Sequence, residues 1–128
     1  MSKITVVKSN SAPPALGHYS QAIIHNNLIY VSGQLPIDVN SPEQIIKGPA
    51  AQTLQTLNNI QAILKEAGSD KSKVLKVDIF MTQLTDWPII NETYATFFGS
   101  HKPARVAVPV SELPKGVLIE ISAMAALN

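Results

Sequence analysis

Arg105 is the only arginine among the ten Lys and Arg residues of this 128-residue chain. It lies in Pro103-Ala104-Arg105-Val106-Ala107-Val108-Pro109-Val110, an otherwise apolar stretch that reads as a buried β-strand. A guanidinium stays charged and offers a rigid fork of donors matched to a carboxylate or phosphate. Lysines already supply the solvated surface charge, so an arginine in apolar company calls for an anionic partner. That partner is either a small acidic ligand or an internal carboxylate, with Glu120 and Glu112 as candidates, and residue type alone weighs the two readings about equally. Glu120 is the one acid in the apolar run from Val117 to Met124. It could orient or deprotonate a water, or serve only as the counter-ion of Arg105. Pairing would keep it ionised, so the two roles are compatible.

Other reactive side chains point to less. His18, His25 and His101 are scattered, with no acid at ligand spacing, which favours loop or surface histidine over a metal site. Ser32-Gly33-Gln34 closes a strand and could offer backbone N–H groups to an anion, because glycine permits close approach. No G-x-S-x-G surrounds Ser32, so it is not a nucleophile elbow. Cysteine is absent, which excludes disulfides, thiolate nucleophiles and cysteine-held zinc. Trp87, beside Pro88, is a candidate to line a pocket or an interface.

The balance of charge is nearly even, at +1, and no basic run exceeds Lys71-Ser72-Lys73. A protein that tracks phosphates normally carries a basic stripe with arginine in it, so nucleic acid is not expected as a partner. No apolar run approaches the ~20 residues of a membrane span. The start of the chain has no long apolar core followed by a cleavage site, so no secretory leader is expected. A soluble, cytoplasmic protein is the expectation.

The elements that must position Arg105 and Glu120 read as one domain over residues 1–128, with no repeat or linker. A short strand spans Ile4 to Val7, and a polar loop runs from Ser9 to Pro14. Gln21–His25 and Leu28–Ser32 flank Asn26-Asn27, a pair tolerant of positive φ, and form a tight hairpin. Pro36 to Gly48 is a loop with a short extended piece at Ile45-Ile46. A helix from Pro49 to Ala67 starts on proline, ends at Gly68 and carries a stripe of Leu54, Leu57, Ile60, Leu64 and Ala67. Val74–Met81 is a strand. A second helix, capped by Asp86, carries Tyr94, Phe97 and Phe98 and stops at Gly99. Arg105–Val110 and Val117–Ala126 are closing strands joined through a turn at Leu113–Gly116. The order gives an α+β fold, with a sheet that two helices can cover on one face only. The last strand is apolar on its other face too, at Leu118 and Met124, and a second subunit is the simplest cover.

Five segments then fall into a family pattern. Gly17-His18-Tyr19-Ser20-Gln21-Ala22, Val31-Ser32-Gly33-Gln34, Ile90-Asn91-Glu92-Thr93-Tyr94, Pro103–Val108 and Leu113–Ile121 together resemble the RidA family, formerly the YjgF/UK-type translation inhibitors. The resemblance covers nearly the whole chain. It implies a chorismate-mutase-like fold, a homotrimer with clefts between subunits, and deamination of 2-iminobutanoate and 2-iminopropanoate to 2-oxoacids and ammonia. By motif, Arg105 would bind the substrate carboxylate and Glu120 would position the attacking water. Tyr19, Ser32 and Gly33 would line the cleft, the Ala107 backbone would meet the imine end, and Asn91 would join the pocket or its rim. No metal or organic cofactor is implied. Two positions depart from many relatives: His18 stands where proline precedes the tyrosine, and Ala107 stands where a cysteine follows the arginine. A non-catalytic 2-oxoacid-binding trimer would use the same clamp, so it stays open beside the enzyme. The ribonuclease or translation-inhibitor activity historically attached to the family ranks last, for want of paired histidines and a basic groove.

Overall fold

The computed structural model describes residues 3–128; Met1 and Ser2, the start of the stretch expected to carry no leader, lie outside the described residues. Six strands form one mixed sheet: β1 (Thr5–Val7), β2 (Ala22–His25), β3 (Leu28–Gln34), β4 (Val74–Met81), β5 (Ala104–Pro109) and β6 (Ile119–Ala126). Their spatial order is β1-β2-β3-β6-β4-β5, with only β4 and β5 parallel. The helices are α1 (Pro49–Ala67) and α2 (Trp87–Phe98). The fold is thus α+β, as the order of elements predicts.

Local chemistry explains most boundaries. Asn26 and Asn27 both take positive φ, 51° and 66°, the pair of left-handed residues a two-residue hairpin needs. Gly68 closes α1 in the left-handed conformation, its N–H bonding back to the last turn. β4, α2 and β5 form a crossover unit, which is how parallel neighbours are connected.

The core lies between the helices and one face of the sheet. Ile29, Val77, Ile79, Ile119 and Ile121 from the strands meet Leu57, Ile63, Leu64 and Ile90 from the helices, all fully buried. On β6 burial alternates strictly, so Glu120, Ser122 and Met124 face the other way. Among the described residues no helical layer covers that second face: Tyr30, Val106 and Val108 stand exposed on it.

Four expectations change. The stretch around Arg105 is not a buried strand: β5 is an edge strand with a single neighbour, and Val106 and Val108 keep 44% and 37% exposure. Leu54 falls off the buried stripe of α1 at 45% exposure, while Gln52, Thr53, Thr56 and Asn59 turn inward: Gln52 and Asn59 hold neighbouring loops, and the two threonine hydroxyls donate back to carbonyls of α1. Asp86 sits before α2 but its side chain caps nothing, because the chain enters from a 3₁₀ turn at Leu84–Asp86 and is already helical there. Finally, Ile45-Ile46 forms no strand.

Candidate active site

The predicted residues fall into two groups that one chain does not bring together. Arg105 pairs in register with Val77 of β4, which pairs with Ala123 of β6. Val77 and Ala123 are buried beneath the helices, so Arg105 leaves the sheet on the helix-covered side. Glu120 pairs with Phe80 on the uncovered side. The two side chains project from opposite faces, and the intramolecular ion pair that the sequence permits is excluded. The ion pair found among the described residues, Lys76 to Asp78 at 3.4 Å, involves neither Glu120 nor Glu112.

Glu120 belongs to a cavity of about 830 Å³ shared with Tyr19, Ser32, Gly33 and Lys115 and walled by apolar residues including Leu35, Ile37 and Val39. Its carboxyl lies directly against Gly33. A Cβ at that position would stand 3.0 Å from the Glu120 Cδ and closer still to Oε2. Gly33 is therefore required for close approach, not for its φ. Burial pushes the Glu120 carboxyl above the ordinary carboxylate range, because the charged form loses solvation there. Ser32 is fixed beside it: its hydroxyl donates to the Ser20 carbonyl at 2.6 Å, and its N–H to the Gln21 carbonyl at 2.9 Å.

Arg105 belongs to a separate recess of about 360 Å³, shared with Asn91, Tyr94, His101 and Lys102. Its Nη1 donates to Asn91 Oδ1 at 2.8 Å. The guanidinium carbon lies 4.8 Å from the centre of the Trp87 ring and 4.9 Å from that of Tyr94. Burial pushes the Tyr94 hydroxyl up to about 12, with the Arg105 charge opposing the shift. Ala107 lies two residues along β5, on the same face as Arg105 and against the core. It lines neither cavity.

Several positioning residues carry no prior assignment from sequence. Gln21 is 3% exposed, and its amide spans the loop that walls the Glu120 cavity. Oε1 accepts from the Ser9 N–H at 2.6 Å, and Nε2 donates to the Ser9 and Pro13 carbonyls at 3.1 and 2.7 Å. Asn59 donates to the Leu35 and Ile37 carbonyls, and Gln52 bridges the Ile46 carbonyl to the Leu118 N–H. The signal available in sequence was the run of amide and hydroxyl side chains at core positions of α1. A buried amide needs partners, and irregular backbone needs exactly such donors and acceptors.

His18, His25 and His101 stand on separate elements, and no cluster of metal-ligating side chains occurs among the described residues. Among the described residues, no helix is long and apolar enough to cross a membrane.

The sequence pattern of the family described as Endoribonuclease L-PSP matches residues 9–127. A RutC family protein of Pyrococcus horikoshii is 49% identical over 121 residues, which cover 94% of this chain and 95% of that one. A Rattus norvegicus protein named 2-iminobutanoate/2-iminopropanoate deaminase is 42% identical over 120 residues, covering 94% and 88%. Among solved structures, the YjgF gene product of E. coli superposes with a TM-score of 0.92 at 36% identity, over 97% of this chain and 99% of that one.

Proposed function

This chain belongs to the endoribonuclease L-PSP family, the YjgF/RidA group of proteins, and from that premise we propose that it is a cytoplasmic hydrolytic deaminase of small 2-imino acids. Its substrates are 2-iminobutanoate and 2-iminopropanoate, as the name of the rat relative suggests. The observation that carries the reading is the division of the site. One chain offers a carboxylate clamp at Arg105 and Asn91 on one side of its sheet. It offers a half-buried general base, Glu120, on the other, beside Tyr19, Ser32 and Gly33. Repetition around a threefold axis would set the Arg105 edge of one copy, with Ala107, against the Glu120 cavity of the next. It would also cover the exposed apolar face of β5 and β6.

In such a cleft the free donors of Arg105 take the substrate carboxylate and fix C2. A protonated imine is already electrophilic, so orientation of water is the main demand and no cofactor is called for. Glu120 takes a proton from water as the oxygen adds to C2, and the C=N π pair moves to nitrogen. The same proton then passes to nitrogen. The C–N bond breaks with its electron pair on nitrogen, ammonia leaves, and the hydroxyl proton passes to the Glu120 carboxylate, and from it to solvent, as the C=O bond of the 2-oxoacid forms. A carboxyl held above its ordinary range is the stronger base for this work.

Release of ammonia and 2-oxobutanoate from freshly generated 2-iminobutanoate, with and without the protein, tests the reading. The expected result is conversion well above the rate in buffer. Binding of 2-oxobutanoate without any acceleration would instead leave a 2-oxoacid-binding protein that uses the same clamp.

A further inference from the structure

Trp87, Asn91 and Tyr94 stand at i, i+4 and i+7 along α2, and so form one row, which the Arg105 side chain meets. Seven residues of helix rise about 10.5 Å. The Arg105 guanidinium carbon is 4.8 Å from one ring centre and 4.9 Å from the other, within cation–π reach of both. Asn91, midway along the row, accepts from Nη1. We propose that Trp87 is a positioning residue for the reaction: with Tyr94 it forms an aromatic clamp that holds the Arg105 fork so that its remaining donors are presented to the substrate carboxylate. This rests on the reading of Arg105 as the carboxylate site.

The physical need for such a clamp is specific to this arginine. Arg105 leaves an exposed edge strand, has no carboxylate partner among the described residues, and would otherwise sample many rotamers. Rings over the guanidinium satisfy its charge through their π faces while leaving its in-plane N–H groups unspent. An acid in the same place would occupy the donors a substrate needs. Asn91 takes one N–H, which leaves the Nη2 and Nε edge for a two-point contact with a carboxylate. The Tyr94 hydroxyl is buried with no hydrogen-bond partner among the described residues, and Tyr94 meets Arg105 through its ring.

Trp87 is the only tryptophan in the chain, which makes it a reporter of its own role. Titration of the full-length protein with 2-oxobutanoate should change its fluorescence as Arg105 takes the carboxylate. Trp87→Leu should weaken 2-oxobutanoate affinity, measured by calorimetry, and raise KM by about two- to fivefold, the usual scale of an exposed cation–π contact. The kcat and the oligomeric state should be little changed. Trp87→Phe, which keeps a ring face, should recover most of the loss. A tryptophan signal indifferent to saturating 2-oxobutanoate, a leucine variant that binds as tightly as the parent, or a phenylalanine variant as weak as leucine would each overturn the clamp. Arg105→Ala separates the two readings. If it abolishes binding while Trp87→Leu does not, only the clamp fails; if it leaves binding intact, the carboxylate reading fails and the clamp with it.

Discussion

Glu120 and Gly33 show how two residues share one requirement. The carboxyl is raised by loss of solvation, and it lies so close to the β3 backbone that no side chain fits opposite it. Glu120→Gln keeps size and a hydrogen-bonding oxygen but cannot take a proton, so turnover should fall by roughly 10² or more. Binding of 2-oxobutanoate through Arg105 should persist in that variant, and calorimetry beside a rate assay checks both. The pH dependence has a definite sign. A base whose carboxyl is raised becomes protonated at higher pH than an ordinary glutamate. The acid limb of kcat/KM should therefore lie above the ordinary carboxylate range, with activity lost as pH falls through it. Gly33→Ala should displace the carboxyl by steric conflict alone, giving a slow enzyme whose 2-oxoacid affinity is nearly intact. A full-speed Gly33→Ala variant would mean that Glu120 can move aside without consequence.

At the scale of elements, the cavity around Glu120 is built from loops, and α1 and Gln21 hold those loops. The backbone of residues 9–14 and 35–48 has few strand or helix partners, so buried amides take their place. Gln21→Ala would strip its bonds to Ser9, Ala12 and Pro13 and leave buried N–H and C=O groups unpaired, at about 1–3 kcal/mol for each group left dry. The expected outcome is a lowered denaturation midpoint together with a raised KM, because the same loop carries Pro13 and Pro14 into the cavity wall. Loss of stability without any change in KM would show that the loop does not shape the site. The polar stripe of α1 is thus read as loop anchorage. Gln52 and Asn59 facing inward are compatible with a tightly packed core because loop backbone satisfies their amides, and Thr53 and Thr56 because their hydroxyls bond back to α1 carbonyls.

The whole molecule raises the question of what meets the uncovered face and the β5 edge. If active clefts form between copies, Arg105 of one and Glu120 of the next make a site. Two inactive variants should then rescue one another. Co-refolding equal amounts of Arg105→Ala and Glu120→Gln should regenerate about one quarter of the parental sites in statistical trimers, since each site needs one intact residue from each of two neighbours. Neither variant alone should be active. A mixture as inactive as its parts would show that both residues serve from the same chain, and a monomer by light scattering at micromolar concentration would do the same.

Much of the fold was legible in the residues themselves. The hairpin at Asn26-Asn27, the limits of α1 at Pro49 and Gly68, and β4 all follow from local rules: positive φ, proline geometry and β-branched runs act over a few residues. Arg105 and Glu120 stand out because a single charge in apolar company is a local fact as well. The strand order is not local. β6 lies between β3 and β4, and β5 lies at the edge, because the α2 crossover carries the chain past β4. The sequence by itself therefore determined which charges must be answered, and left open whether they answer each other. Tertiary structure decided that. Strand pairing fixes which face each alternate residue takes, and the register through β4 sends Arg105 and Glu120 to opposite faces of one sheet.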